Sequence, residues 1–113
     1  MGRRRKRRVV VPVGHSYYEL VPQAPGLGGN LGVTEMGKRK VIRVSDQLND
    51  PHNWALTFWH EYWHAALFEL GYHTNDEEAK VEGFAHLMMT LLTDPHGRAL
   101  LIDMLKALPP KAP

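Results

Sequence analysis

One long stretch of this chain carries helix boundary signals at both ends, and it restricts the fold more than any other segment. Asp50 followed by Pro51 is typical of a helix start, because aspartate caps free N–H groups and proline fits the first helical position. Gly71 after Leu70 is typical of a helix end, because glycine readily adopts the left-handed conformation that closes the last turn. We therefore expect a helix from Pro51 to Leu70.

Inside this predicted helix, His60, Glu61 and His64 form the pattern H-E-x-x-H. Residues four apart on a helix share a face, so both imidazoles can reach one metal ion. Glu61 lies roughly 100° round the helix from His60, where it can act on a nearby water without being a ligand. Zinc suits imidazole and carboxylate ligands, so the pattern predicts a zinc hydrolase, in the first place a peptidase. The alternative is a pair of ordinary helix histidines, because three fixed positions often coincide by chance.

Length and composition limit the class of protein. At 113 residues, the chain is long enough for one domain with one modest core. It has no cysteine, which excludes disulfides and thiolate metal sites. No apolar run approaches the ~18 residues that a membrane span needs, and Val9–Val13 is too short for the apolar region of a signal peptide. We therefore expect a cytoplasmic protein that does not bind membranes.

Positive charge is concentrated at the N-terminus, in Arg3, Arg4, Arg5, Lys6, Arg7 and Arg8. The chain has 14 Lys and Arg against 12 Asp and Glu, so without these six the remainder has 8 against 12, a net charge of −4. Such an arm can bind nucleic acid or another acidic surface, although a solvated, disordered tail is the simpler interpretation. We divide the chain into a basic arm at 1–8, a single domain at 9–108 and a tail at 109–113.

The first half of the domain predicts strands. Val9–Val13 and residues 16–21 can be extended, and their prolines confine them to sheet edges or strand ends. Residues 31–35 and 39–44 flank a short turn at Gly37, which predicts a β-hairpin.

The second half predicts two more helices. Residues 74–77 read as a capping box that opens a helix ending near Thr93. Asp94 and Pro95 repeat the cap-and-proline start, and the third helix then runs to about Leu108. The predicted fold is α+β, with a small antiparallel β-sheet followed by three helices.

A catalytic zinc site needs a third protein ligand, and the second predicted helix begins with several carboxylates. Glu78 and Glu82 are four residues apart on one helix face. The short link between the two helices lets this face turn towards His60 and His64. Glu77 is a further alternative, although a capping role explains it as well.

Two segments together carry a family resemblance: H-E-x-x-H at 60–64 and E-x-x-V-E-x-F-A at 78–85. They resemble the gluzincin metallopeptidases, and most closely the ImmA/IrrE-type and small phage-encoded members, whose second helix typically reads E-x-x-A-N-x-F-A. The resemblance covers about residues 31–92 and implies a zincin-like fold. It implies that His60, His64 and Glu78 bind one Zn2+ and that Glu61 is the general base. Glu82 then orients a ligand histidine or is the alternative third ligand.

The reaction also needs a donor for the oxyanion, and the substrate is expected to be a protein or peptide. Tyr72 and His73 in the interhelical loop and His86 on the second helix are candidates for this role or for orienting a ligand. The alternative function is a silent or latent module of the same fold that docks a protein or nucleic acid through the basic arm. Glu61 favours the enzyme, because binding alone does not require a carboxylate there.

Overall fold

The structure is a computed structural model that describes residues 8–112. Within this range lie four strands, β1 (Val9–Val13), β2 (Ser16–Ala24), β3 (Gly32–Met36) and β4 (Lys40–Ser45). Three helices follow, α1 (Pro51–Glu69), α2 (Glu78–Thr93) and α3 (Pro95–Ala107). The predicted α+β fold, a small sheet followed by three helices, is confirmed. In residues 8–112, no helix has both the length and the apolar character needed to cross a membrane.

The sheet has the strand order β1-β2-β4-β3 and is mixed. β1 with β2 and β3 with β4 pair antiparallel as predicted, but β2 pairs parallel with β4, so the prediction of a purely antiparallel sheet is wrong at that pairing. Burial accounts for the arrangement. Val41, Ile42 and Val44 are each at most 2% exposed, and the inner position of β4 shields them while β3 takes the edge.

Prolines lie where a sheet tolerates them. Pro12 lies in β1, which is an edge strand. Pro22 lies within β2, but at the irregular register between Val21 and Ala24, where it interrupts no regular ladder. β2 therefore continues to Ala24, beyond the end predicted at residue 21.

Both boundary signals of α1 act as predicted. The side chain of Asp50 accepts hydrogen bonds from two N–H groups of the first turn. At the other end Gly71 has a φ of 81°, and the N–H of Tyr72 donates to the carbonyl of Leu67 at 2.8 Å. This is the Schellman arrangement, and it closes the helix at Glu69, one residue before the predicted end.

The second helix begins later than predicted, at Glu78 instead of at residue 74. One half of the expected capping box forms, since the N–H of Thr74 donates to Oε1 of Glu77 at 2.9 Å. The other carboxylate oxygen of Glu77 lies 2.5 Å from Nδ1 of His64 on α1, so a tertiary contact fixes this residue before the helix begins. The start of α3 at Pro95, capped by Asp94, is confirmed.

The core lies between α1 and one face of the sheet. Val13, Tyr18 and Ile42 from the strands pack with Ala65 and Ala66 from α1. The two small alanines let the helix approach the sheet closely. As a result, the H-E-x-x-H turn of α1 lies beside the edge strand β3.

A polar network ties the end of α1 to the sheet. Glu69 accepts hydrogen bonds from Lys40 at 2.8 Å, Ser16 at 2.6 Å and Tyr18 at 2.8 Å. The bonded Lys40 ammonium, followed by the two hydroxyl donors, lowers the pKa of Glu69 to about 2. Glu69 therefore remains charged in the folded protein well below neutral pH.

Candidate metal centre

The packing of α1 against α2 brings His60, His64 and Glu78 together. The two Nε2 atoms are 3.2 Å apart. Oε2 of Glu78 lies 3.0 Å from Nε2 of His60, and Oε1 lies 2.9 Å from Nε2 of His64. One ligand atom from each residue lies within 4.8 Å of the others. The structure thus brings together the three residues that the sequence suggested as metal ligands.

The spacing of these atoms fits a zinc ion. Zinc bonds of about 2.0–2.1 Å in tetrahedral geometry place neighbouring ligand atoms roughly 3.3 Å apart. The observed separations of 2.9–3.2 Å are slightly shorter, so a small outward movement suffices. The side chain of Glu78 is 71% exposed and has room for that movement.

Each histidine is held from behind by a carboxylate. Nδ1 of His60 lies 2.7 Å from Oε2 of Glu82, and Nδ1 of His64 lies 2.5 Å from Oε2 of Glu77. When each Nδ1 donates its proton to its carboxylate, both Nε2 atoms present lone pairs towards Glu78. Three electron-rich groups then face one point, an arrangement that a shared cation stabilises.

These contacts distinguish the three carboxylates that the sequence left as candidate third ligands. Only the carboxylate of Glu78 faces the Nε2 atoms. Glu77 and Glu82 contact Nδ1, the nitrogen on the other side of each ring, and so occupy orienting positions. The role implied for Glu82 by the family resemblance matches its position, whereas the orienting position of Glu77 was not anticipated.

Two further histidines support the orienting carboxylates. Nδ1 of His73 lies 2.9 Å from Oε1 of Glu77, and Nε2 of His86 lies 3.0 Å from Oε1 of Glu82. Each of the two candidate ligand histidines therefore ends a hydrogen-bonded chain of histidine, glutamate and histidine. Tyr72 is 70% exposed. None of these three candidate donors lines the cleft formed by the described residues, so the structure gives no support to an oxyanion role for them.

Glu77 is the more firmly held of the two orienting carboxylates. It is only 3% exposed and accepts from the Thr74 N–H in addition to its two histidine contacts. Burial raises the pKa of Glu77, but the hydrogen bonds from His64 and Thr74 and the nearby imidazoles outweigh burial, and the pKa lies below its ordinary value. The carboxylate thus remains an anion that can accept the proton on Nδ1 of His64.

Glu61, the candidate general base, lies between α1 and β3. Its exposure is 8%, and Oγ1 of Thr34 donates to its Oε1 at 2.7 Å. Burial raises the pKa of Glu61, and the hydrogen bond from Thr34 and the two neighbouring imidazoles offset only part of that rise. A carboxylate in this state is a stronger base than an exposed one.

A glycine makes room for Glu61. A Cβ atom at Gly32 would lie 2.8 Å from Cγ of Glu61 and 2.9 Å from Cγ2 of Thr57. Sequence reasoning missed both Gly32 and Thr34. The available signal was their spacing, because residues two apart on a strand point to the same face.

The candidate ligands and Glu61 line a cleft of about 430 Å3. Its remaining lining residues come from the loop before β3, from β3 itself and from both helices: Gly29, Asn30, Leu31, Gly32, Leu56, Thr57 and Glu82. A larger cavity of about 740 Å3 lies along β1 and β2, between Arg8 and Gln23, and includes none of these catalytic candidates. The chemistry suggested by the sequence therefore belongs to the smaller cleft.

Comparison of the chain with protein-family models, with curated proteins and with solved structures gave no match. Of the basic arm at 1–8, residues 1–7 lie outside the described range. Arg8 lies within it and forms an ion pair with Glu19 at 2.8 Å.

Proposed function

We propose that this protein is a zinc-dependent metallopeptidase. The observation that carries the proposal is the convergence of His60, His64 and Glu78 beside the buried carboxylate of Glu61. The orienting carboxylates behind both imidazoles add support, because metal-binding histidines usually donate their second N–H to such a partner.

The chemistry divides between the ion and Glu61. His60, His64 and Glu78 would hold the zinc ion, which when bound would supply a Lewis acid for a peptide carbonyl and lower the pKa of a bound water to about 7. Glu61 accepts a proton from the attacking water and delivers it to the nitrogen of the leaving amine as the C–N bond breaks. The burial of Glu61 and its hydrogen bond from Thr34 suit both steps, because the base must stay oriented while it holds the proton between them.

The substrate we propose is an extended segment of a protein or peptide. β3 forms one wall of the cleft and, among the described strands, pairs only with β4. Its outer edge therefore offers backbone groups to which an extended peptide can add as a further strand. We also propose that the protein acts in the cytoplasm, which fits a chain without cysteine.

The test combines metal content and cleavage. Elemental mass spectrometry and cleavage of a mixed library of unstructured peptides are measured on the wild type, on Glu61→Gln and on the control Asp76→Asn, whose residue is exposed in the interhelical loop. We expect one zinc per chain in all three proteins, and cleavage by the wild type and the control only.

Three results contradict the proposal. A wild type that takes up no zinc, even when zinc is added, has no metal centre. A Glu61→Gln protein as active as the wild type places the cleavage elsewhere, for example in a contaminant. Zinc binding without cleavage of any peptide by the wild type leaves the silent binding module as the better interpretation.

A further inference from the structure

The third helix is unusual because none of its 13 residues is buried. It packs mainly against α2, and closely at its first turn, where a Cβ atom at Gly97 would lie 2.4 Å from the carbonyl oxygen of Leu91. Beyond that turn its large apolar side chains, except the half-buried Leu101, remain exposed to solvent. Residues 109–112 are exposed and cover none of them.

The exposed apolar residues form a regular row. Leu100, Met104 and Leu108 are spaced four apart and are 52%, 46% and 68% exposed, and Leu105 beside them is 77% exposed. Residues at this spacing lie along one side of a helix. On α2, Leu87 and Leu91 are also spaced four apart and are 64% and 42% exposed. We call these six residues the α2–α3 patch.

The area of the patch approaches that of an interface. A half-exposed leucine or methionine contributes on the order of 100 Å2, so the six together expose roughly 600 Å2, about three quarters of the ~800 Å2 that each partner buries in a standard interface. The largest apolar patch of an ordinary monomer measures about 300–600 Å2. The α2–α3 patch is therefore at the upper end of that range, where such patches often have a function.

We propose that the partner is a second copy of this chain, and that the two copies pack their third helices antiparallel about a two-fold axis at Met104. Leu100 and Leu108 lie four residues, about 6 Å, on either side of Met104. A two-fold axis at Met104 therefore places Leu100 of one copy against Leu108 of the partner subunit and repeats the contact on the other side. Such self-complementarity is what an isologous dimer requires.

Charge does not oppose this packing. The row contains no charged residue; Lys106 lies on the opposite side of α3, and Asp103 lies about 100° round the helix from Met104. Arg98 flanks the row at its start, where its guanidinium donates to the carbonyl of Leu92 in the same chain. Antiparallel helices also place opposite ends of their dipoles together, which is favourable.

The dimer leaves the candidate metal centre open. Leu87 is nine residues beyond Glu78, and Leu91 is nine residues beyond Glu82, so each lies about half a turn round α2 from the centre. The inference is therefore independent of the proposed function, and a monomeric variant keeps its zinc content.

Analytical ultracentrifugation of the full chain tests the proposal. Leu105→Glu places a charge in the patch, at a side chain so exposed that folding is little affected. Ala99→Glu is the matched control, because it adds the same charge on the opposite side of the same helix. We expect twice the chain mass for the wild type and for Ala99→Glu, and a dissociation constant about 100-fold higher for Leu105→Glu. A wild type that is monomeric at high micromolar concentration, or equal effects of both variants, overturns the proposal.

Because the chain has no cysteine, disulfide trapping gives a second and independent readout. Met104→Cys lies at the proposed axis, where two thiols of one dimer can meet, whereas the thiol of Ala99→Cys cannot reach its equivalent. Under mild oxidation we expect a covalent dimer of Met104→Cys at protein concentrations that leave Ala99→Cys monomeric. Equal cross-linking of both variants reports random collision and overturns the assigned axis.

Discussion

The hydroxyl of Thr34 on β3 donates to the buried carboxylate of Glu61 on α1 at 2.7 Å, and it also lies 3.1 Å from the Glu61 backbone carbonyl oxygen. This contact joins residues 27 positions apart in the sequence. It fixes both the rotamer of the candidate general base and the distance between the helix and the sheet edge.

The first prediction concerns this contact. Thr34→Val keeps the shape of the side chain but removes the donor, so the pKa of Glu61 rises further and the carboxylate loses its orientation. We expect kcat to fall by about 10–100-fold, with zinc content unchanged. Steady-state cleavage kinetics measure the loss. Thr93→Val removes a comparable hydroxyl bond on α2 and serves as the control. Equal losses in both variants rule out a specific role for Thr34.

The second prediction concerns the space beside Glu61. Gly32→Ala forces the new methyl group against Glu61 and Thr57, so we expect activity to fall by about 100-fold and the free energy of unfolding by ~1–3 kcal/mol. Gly83→Ala on α2 is the control, because its Cβ meets no atom within 4 Å and alanine favours a helix. Denaturant titration and kinetics on the two variants check the difference. Full activity in Gly32→Ala contradicts the prediction.

The third prediction separates a ligand from an orienting carboxylate. We expect Glu78→Ala to lose the zinc ion, because it removes one of three ligands. Glu82→Gln keeps all ligands and weakens affinity by about 10–100-fold. Competition with a chromophoric chelator measures both affinities. If Glu82→Gln loses more affinity than Glu78→Ala, then Glu82 is the ligand and the geometric assignment is wrong.

The fourth prediction concerns the pH dependence of stability. The folded-state pKa of Glu69 is about 2, below its ordinary value of 4.5, so folding favours the charged form. The stability that this group contributes is therefore complete above about pH 4.5 and is lost as the pH falls towards 2. Glu69→Gln is expected to cost on the order of 1–3 kcal/mol at pH 6, where the hydrogen bond from Lys40 to the charged carboxylate is lost. Urea titrations measure the free energy of unfolding of the wild type and of Glu69→Gln. We expect the difference between the two proteins to decrease as the pH falls from 4.5 to 3. A difference that stays constant over this range contradicts the assigned pKa.

Much of the fold follows from local signals in the sequence. The caps at Asp50 and Asp94, the glycine at Gly71 and the turn of the β3–β4 hairpin each act through neighbours in the chain, so the sequence alone predicts them. The parallel pairing of β2 with β4 depends on which strand is most buried in the finished sheet. That competition is between distant segments, and local patterns do not reveal it.

The candidate site, too, has a part that local sequence patterns predict and a part that depends on packing between distant segments. His60 and His64 share a helix face by their spacing alone. The choice between Glu78 and Glu82 depends on how far α2 is rotated against α1, which the sequence does not specify. The sequence leaves Glu77 open between a helix cap and a third ligand, whereas in the structure Glu77 contacts Nδ1 of His64 across the helix pair and α2 begins only after it.

The candidate centre rests on two different contacts within the fold. The pair of helices α1 and α2 supplies all three proposed ligands and both carboxylates behind the imidazoles, whereas Gly32 and Thr34 on the sheet edge fix the base. Affinity for the ion should thus depend on how the helices dock, and turnover on how α1 docks against β3. A small molecule wedged between α1 and β3 is therefore expected to abolish the proposed peptidase activity without displacing a bound metal ion, a mode of inhibition that needs no chelating group.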